Sequence, residues 1–104
     1  MDRFGIEITE PAENDLYEIG NYISKELLEP DAARRKVEKI GQAILSLEEM
    51  PLRNGLVADE KFALLGIRKI LIDNYVAFYI ADESRKIVTI LRILCIRRNW
   101  ISMI

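Results

Sequence analysis

The chain has 104 residues, half of them apolar, and a formal net charge of −2. That is enough for one domain spanning residues 1–104 with a core of its own, and too little for two. There is no histidine and one cysteine, Cys95, which argues against a zinc site, a Ser–His or Cys–His nucleophile pair and an internal disulfide.

The residues from Met1 to Gly5 have neither the basic start nor the long apolar stretch of a secretory signal. The apolar runs that follow are too short and too broken by charge for a membrane span. A cytoplasmic protein is expected. Gly5-Ile6-Glu7-Ile8-Thr9 alternates in polarity and predicts a short strand. Thr9 is then suited to cap a helix, with Pro11 in a first turn that has no use for its missing N–H. Ala12, Leu16, Ile19, Gly20, Ile23 and Leu27 recur at three- and four-residue steps and form one apolar helical stripe. A turn is predicted at Glu29-Pro30-Asp31.

A second helix is predicted from Asp31 to Glu49, with Ala33, Val37, Ile40, Ile44 and Leu47 as its stripe and Pro51 as its stop. The short link makes the pair an antiparallel hairpin. Residues 52–62, with Asn54-Gly55, are expected to be loop. Three runs rich in β-branched and aromatic residues follow: Ile67 to Ile72, Tyr75 to Ile80 and Ile87 to Leu94. Asp73-Asn74 and Asp82-Glu83-Ser84 separate them, so a three-stranded antiparallel meander is predicted. The last run is apolar on both faces, as in a central strand or one awaiting a partner. The expected fold class is α+β: a short N-terminal strand, a helical hairpin on one face of the sheet, then the meander.

Charge is unevenly spread. Residues 1–60 hold 7 basic and 14 acidic side chains, and residues 61–104 hold 8 and 3. An anionic partner for the C-terminal half is one reading; differently solvated surfaces are the other. Arg34-Arg35-Lys36 reads as the exposed flank of the second helix, and Cys95 as a small buried hydrophobe. The remaining chemistry is basic and aromatic: Arg68, Lys69, Tyr75, Tyr79, Arg92, Arg97, Arg98 and Trp100. Arginines clamp phosphates and aromatics stack on bases. Arg92 lies within an apolar strand, where a bare charge is costly, so it either faces an anion on an open sheet or pairs with a carboxylate of this domain. Arg97-Arg98 suit a partner surface, and Trp100 either a partner or the edge of the core. Ile87, Thr89, Leu91 and Ile93 are the candidate surface for an added strand or amphipathic helix.

Ile8 to Ile23, with Thr9, Ala12, Asp15, Leu16, Ile19, Tyr22 and Ile23, resembles the opening of RelE/ParE toxins. Pro30-Asp31-Ala32-Ala33, Leu47-Glu48-Glu49-Met50-Pro51, Gly66-Ile67-Arg68-Lys69, Asn74-Tyr75-Val76-Ala77-Phe78-Tyr79 and Leu91 to Trp100 are similar to later family motifs, in order. The resemblance implies the toxin of a type II toxin–antitoxin pair, neutralised by a cognate antitoxin. It has no cofactor or metal, and its target is either DNA gyrase (ParE-like) or messenger RNA on the ribosome (RelE-like). In the ribonuclease case Arg98, Arg97, Arg92 and Arg68 are the catalytic candidates. Target contacts are assigned to Arg68, Lys69, Tyr75, Arg92, Arg97, Arg98 and Trp100. The chain departs from the RelE pattern: Val76 stands where an arginine is expected, no tyrosine or histidine follows Arg98, and Cys95-Ile96 replaces Tyr-Gly. RNA cleavage needs an acid, a base and charge stabilisation together, so the departures favour the gyrase branch. A ribonuclease and an inactive relic remain the alternatives.

Overall fold

The structure, a computed structural model, describes residues 3–97 and 100–104. Strand β1 (Gly5–Ile8) ends where Thr9 caps helix α1 (Glu10–Asn21). The Thr9 hydroxyl oxygen accepts from Ala12 N at 3.3 Å, and its O–H donates to the Leu91 carbonyl at 2.9 Å. One residue thus starts the helix and ties it to the last strand. Helical spacing continues past α1, but as a π-helical turn over Tyr22–Glu26. The buried stripe therefore ends at Ile23, and Leu27 is exposed. Leu28, at φ 55°, reverses the chain. Helix α2 (Pro30–Leu45) begins on proline, which suits a first turn, and tightens into a 3₁₀ turn over Ser46–Glu48.

The sheet has the order β1-β4-β3-β2, with β2 at Arg68–Ile72, β3 at Tyr75–Asp82 and β4 at Ile87–Cys95. The meander is antiparallel as expected, while β1 lies parallel to β4, pairing Gly5 with Ile87 and Ile8 with Ile90. β4 is thus a central strand, which accounts for its apolar residues on both faces. A bulge interrupts it: Phe78 pairs with Arg92 and Tyr79 with Ile90, leaving Leu91 as the extra residue. The bulge resets the alternation, so Val88, Ile90 and Ile93 all reach the same core.

That core lies between the sheet and the hairpin. Ala12, Ile40, Ile44 and Leu47 pack against Ile72, Tyr75, Ala77, Tyr79, Val88, Ile90 and Ile93. Burying each large aliphatic side chain there contributes about 1.5–3 kcal/mol. The opposite face carries a second core of Val57, Ile67, Val76, Phe78 and Leu94. It is covered by a helix absent from the sequence reading, α3 (Glu60–Leu64), and by a C-terminal 3₁₀ turn over Trp100–Ser102. The expected loop of residues 52–62 is corrected accordingly: a 3₁₀ turn forms at Pro51–Arg53 and the chain is helical from Glu60. Asp59 caps α3 by accepting from Phe62 N at 3.1 Å, and Gly66 at φ 83° ends it. Among the described residues no helix is long and apolar enough to cross a membrane.

Candidate functional site

The basic and aromatic set predicted to form one target surface is divided between the two faces of the sheet. Arg68 shares the hairpin side of β2 with Ile70 and Ile72, because successive strand residues alternate. Its Nη1 donates to the Asn54 carbonyl at 2.7 Å, fastening the 51–56 segment to β2. Tyr75 faces the same side and is buried, with Lys36 Nζ 5.9 Å from its ring centroid. Burial pushes its hydroxyl above the ordinary tyrosine range. The same holds for Tyr79, whose O–H donates to the Pro51 carbonyl at 2.6 Å. Neither phenol is poised as a base near neutral pH.

Lys69, Phe78 and Arg92 form one cross-strand row on the other face. Trp100 stacks on Phe78 with ring centroids 4.5 Å apart, and lies 5.5 Å from Phe62. Of the two roles open to Trp100, it fills the one at the edge of the core. Lys69 and Arg97 are exposed. Arg98 lies outside the described residues.

Arg92 is the most constrained member. Its Nε and Nη2 each donate to an Asp15 carboxylate oxygen at 2.7 Å, and Nη1 donates to the Met103 carbonyl at 2.8 Å. Asp15 also accepts from Ile93 N at 2.9 Å. The two-point hydrogen bond to Asp15 holds the guanidinium firmly charged. The salt-bridge alternative for Arg92 is therefore the arrangement present, and Asp15, one of the most buried charged groups, is its partner. Sequence reasoning left that partner unnamed. The signal was there: Asp15 sits three residues after Ala12 and four before Ile19, inside the apolar stripe of α1.

The candidate antitoxin surface coincides with a stretch of β4 that other elements partly occupy. β1 occupies the edge of β4 from Ile87 to Ile90. Next to it the Leu91 carbonyl is taken by Thr9 and the Ile93 N–H by Asp15. Ile93 is 1% exposed. A strand adding from Ile87 to Leu91 would have to displace β1 and Thr9, whereas an amphipathic helix would not need those edge groups. Two concave surfaces lie nearby. One groove of about 640 Å³ runs between α1 and α2, floored by Leu16, Gly20, Ala33 and Val37. Another, of about 550 Å³, opens where β4 continues past β1, between Glu18, Ile19, Tyr22, Tyr75 and Cys95. Among the described residues no cluster of three or more acidic or cysteine side chains is placed to hold a metal ion.

A family model described as the ParE toxin of the type II toxin–antitoxin system parDE matches residues 6–100. No curated protein sequence matches the chain. Among solved structures, the chromosomal ParDE toxin–antitoxin system from P. aeruginosa superposes with a TM-score of 0.75 at 20% identity, over 93% of this chain and 100% of that one. The RelBE2 toxin–antitoxin complex from Mycobacterium tuberculosis follows at 0.67 and 20% identity, over 89% and 98%. A doubly substituted E. coli toxin RelE in the free state gives 0.67 at 12% identity, over 97% and 92%. At these identities the structural likeness is one of fold.

Proposed function

Because the chain belongs to the ParE toxin family of type II toxin–antitoxin systems, we propose that it arrests growth by poisoning DNA gyrase and is neutralised by a cognate antitoxin. The observation that carries this reading is the commitment of Arg92. Cleavage of RNA through a ribose 2′-hydroxyl requires a base, an acid and a cation gathered on one phosphate. Here Arg92 spends three donors on Asp15 and the Met103 carbonyl. Arg68 is turned to the hairpin side and bonded to Asn54. Tyr75 and Tyr79 are held protonated by burial. Among the described residues little is left for acid–base work on RNA.

What stays exposed suits a protein target. Lys69 and Arg97 are accessible, and Leu64, Leu65 and Leu71 are 83%, 60% and 57% exposed. Apolar side chains offered at that level with scattered cations fit a protein surface better than a polyphosphate track. Among the described residues the target-facing set is accordingly narrowed to Lys69 and Arg97, with Arg68, Tyr75, Arg92 and Trp100 supporting the fold; Arg98 stays in the set on its sequence alone.

Inducing the chain in a bacterium that lacks the antitoxin tests the reading. The expected result is an early DNA-damage response, with amino-acid incorporation falling later. Early collapse of translation with intact DNA would point instead to messenger RNA cleavage. Unimpaired growth would mean that this chain is no active toxin.

A further inference from the structure

The step in the sheet where β1 stops supplies a different edge from the one the sequence suggested. In the β3–β4 register, Ile96 N donates to the Asn74 carbonyl at 2.9 Å. Hydrogen-bonded pairs alternate along an antiparallel ladder. The same register therefore turns the N–H and C=O groups of Cys95 and Ile93 away from β3, and Ile93 N indeed meets Asp15 on the outer side. β1 covers that outer side only as far as Ile90. The Cys95 N–H and carbonyl thus form a short open edge beyond the Asp15 carboxylate, while Ile93, 1% exposed, is closed off.

This stretch borders the 550 Å³ groove. The apolar walls are Ile19 of α1, Tyr22 of the π-helical turn and Tyr75 of β3. Tyr22, the first residue of the π-helical turn and 55% exposed, stands at the opening. Charge gives the groove a sign. Asp15 is consumed by Arg92, and Lys36, 5.9 Å from the Tyr75 ring centroid, is bonded to Asp73 at 2.7 Å. Glu18 is exposed and forms no ion pair with any described residue. Backbone hydrogen bonding, an apolar recess and an exposed carboxylate within the field of Arg92 therefore converge at one place.

The geometry points to this edge as the seat of an extended segment of the antitoxin, carrying an apolar side chain for the recess and a lysine or arginine for Glu18. The assignment rests on the antitoxin reading above. Main-chain bonds to Cys95 supply affinity, and the recess and Glu18 select the sequence. It also explains how an acidic N-terminal half, with 14 acidic and 7 basic side chains, contributes to recognition: it attracts a cationic segment to the α1 side.

The test uses the full chain co-purified with its full-length cognate antitoxin, compared with the free chain. Amide hydrogen exchange at Cys95 is expected to slow by about a hundredfold or more in the complex. Glu18→Gln, a change at an exposed site, is expected to weaken the complex by about fivefold, the size of a partly exposed ion pair. A tight complex with Cys95 exchange unchanged, and new protection at Gly5–Ile8 or Ile70–Ile72, would overturn the assignment and place the added strand at β1 or β2. Absence of any complex would instead overturn the antitoxin reading itself, a distinct failure.

Discussion

Replacing Asp15 by alanine probes the interaction that joins α1, β4 and the C-terminal segment. The carboxylate accepts from Arg92 Nε and Nη2 at 2.7 Å each and from Ile93 N at 2.9 Å. The side chains of Arg92 and Asp15 are 20% and 10% exposed. Removing one partner of a fully buried pair costs about 3–5 kcal/mol, mostly through the charge left behind. The exposure of Arg92 and its remaining bond to Met103 bring that toward the lower end. The Ile93 N–H, in a residue 1% exposed, also loses its acceptor, which by itself costs about 1–3 kcal/mol. A total of about 4 kcal/mol is expected, equivalent to a fall in Tm of roughly 16 °C for a chain of this size. Urea unfolding followed by circular dichroism measures it. Removing the stranded charge as well, in the pair Asp15→Leu with Arg92→Met, should recover part of the loss. A cost for Asp15→Ala below about 1 kcal/mol, the range of a surface ion pair, would refute the argument that this pair organises the fold.

Trp100→Ala should destabilise by about 2 kcal/mol through lost stacking on Phe78 and Phe62, and an unchanged unfolding midpoint would show that the C-terminal turn is dispensable. Asp73 makes ion pairs with Lys36 and Lys39 at 2.7 and 2.8 Å, and hydrogen bonds from those lysines hold its pKa at about 2 against an ordinary 3.8. A depressed folded-state pKa stabilises above the unfolded value, and the benefit is lost as pH falls from 3.8 toward 2. The stability gap between the natural chain and Asp73→Asn, which tolerates the φ of 55°, should therefore close over that window in acid titrations of unfolding. Tyr79→Phe removes the donor to the Pro51 carbonyl and the acceptor for Asn54, and should cost about 1–2 kcal/mol in denaturant unfolding.

The helical hairpin and the three later strands were legible because each carries a long periodic signal. Ala12, Leu16, Ile19 and Ile23 repeat at helical steps, and Tyr75 to Ile80 is dense in β-formers. What escaped was short or long-range. Helix α3 has five residues, too few for a period to emerge, and only the cap at Asp59 and the stop at Gly66 announced it. The bulge at Leu91 adds one residue without altering composition, so the side-chain parity of β4 could not be counted from the sequence. The partner of Arg92 is 77 positions away, and only its place in an otherwise apolar stripe hinted at it. The predicted docking edge is partly occupied for a related reason: nothing in the sequence names the neighbour of β1, which is β4 from Ile87 to Ile90.

The central claim is tested most directly by adding the purified chain to DNA gyrase with plasmid DNA and, separately, to ribosomes translating a defined message. The account predicts gyrase-linked DNA breaks that antitoxin suppresses, with the message intact. Site-specific cleavage of the message in the ribosome, with gyrase unaffected, would contradict it.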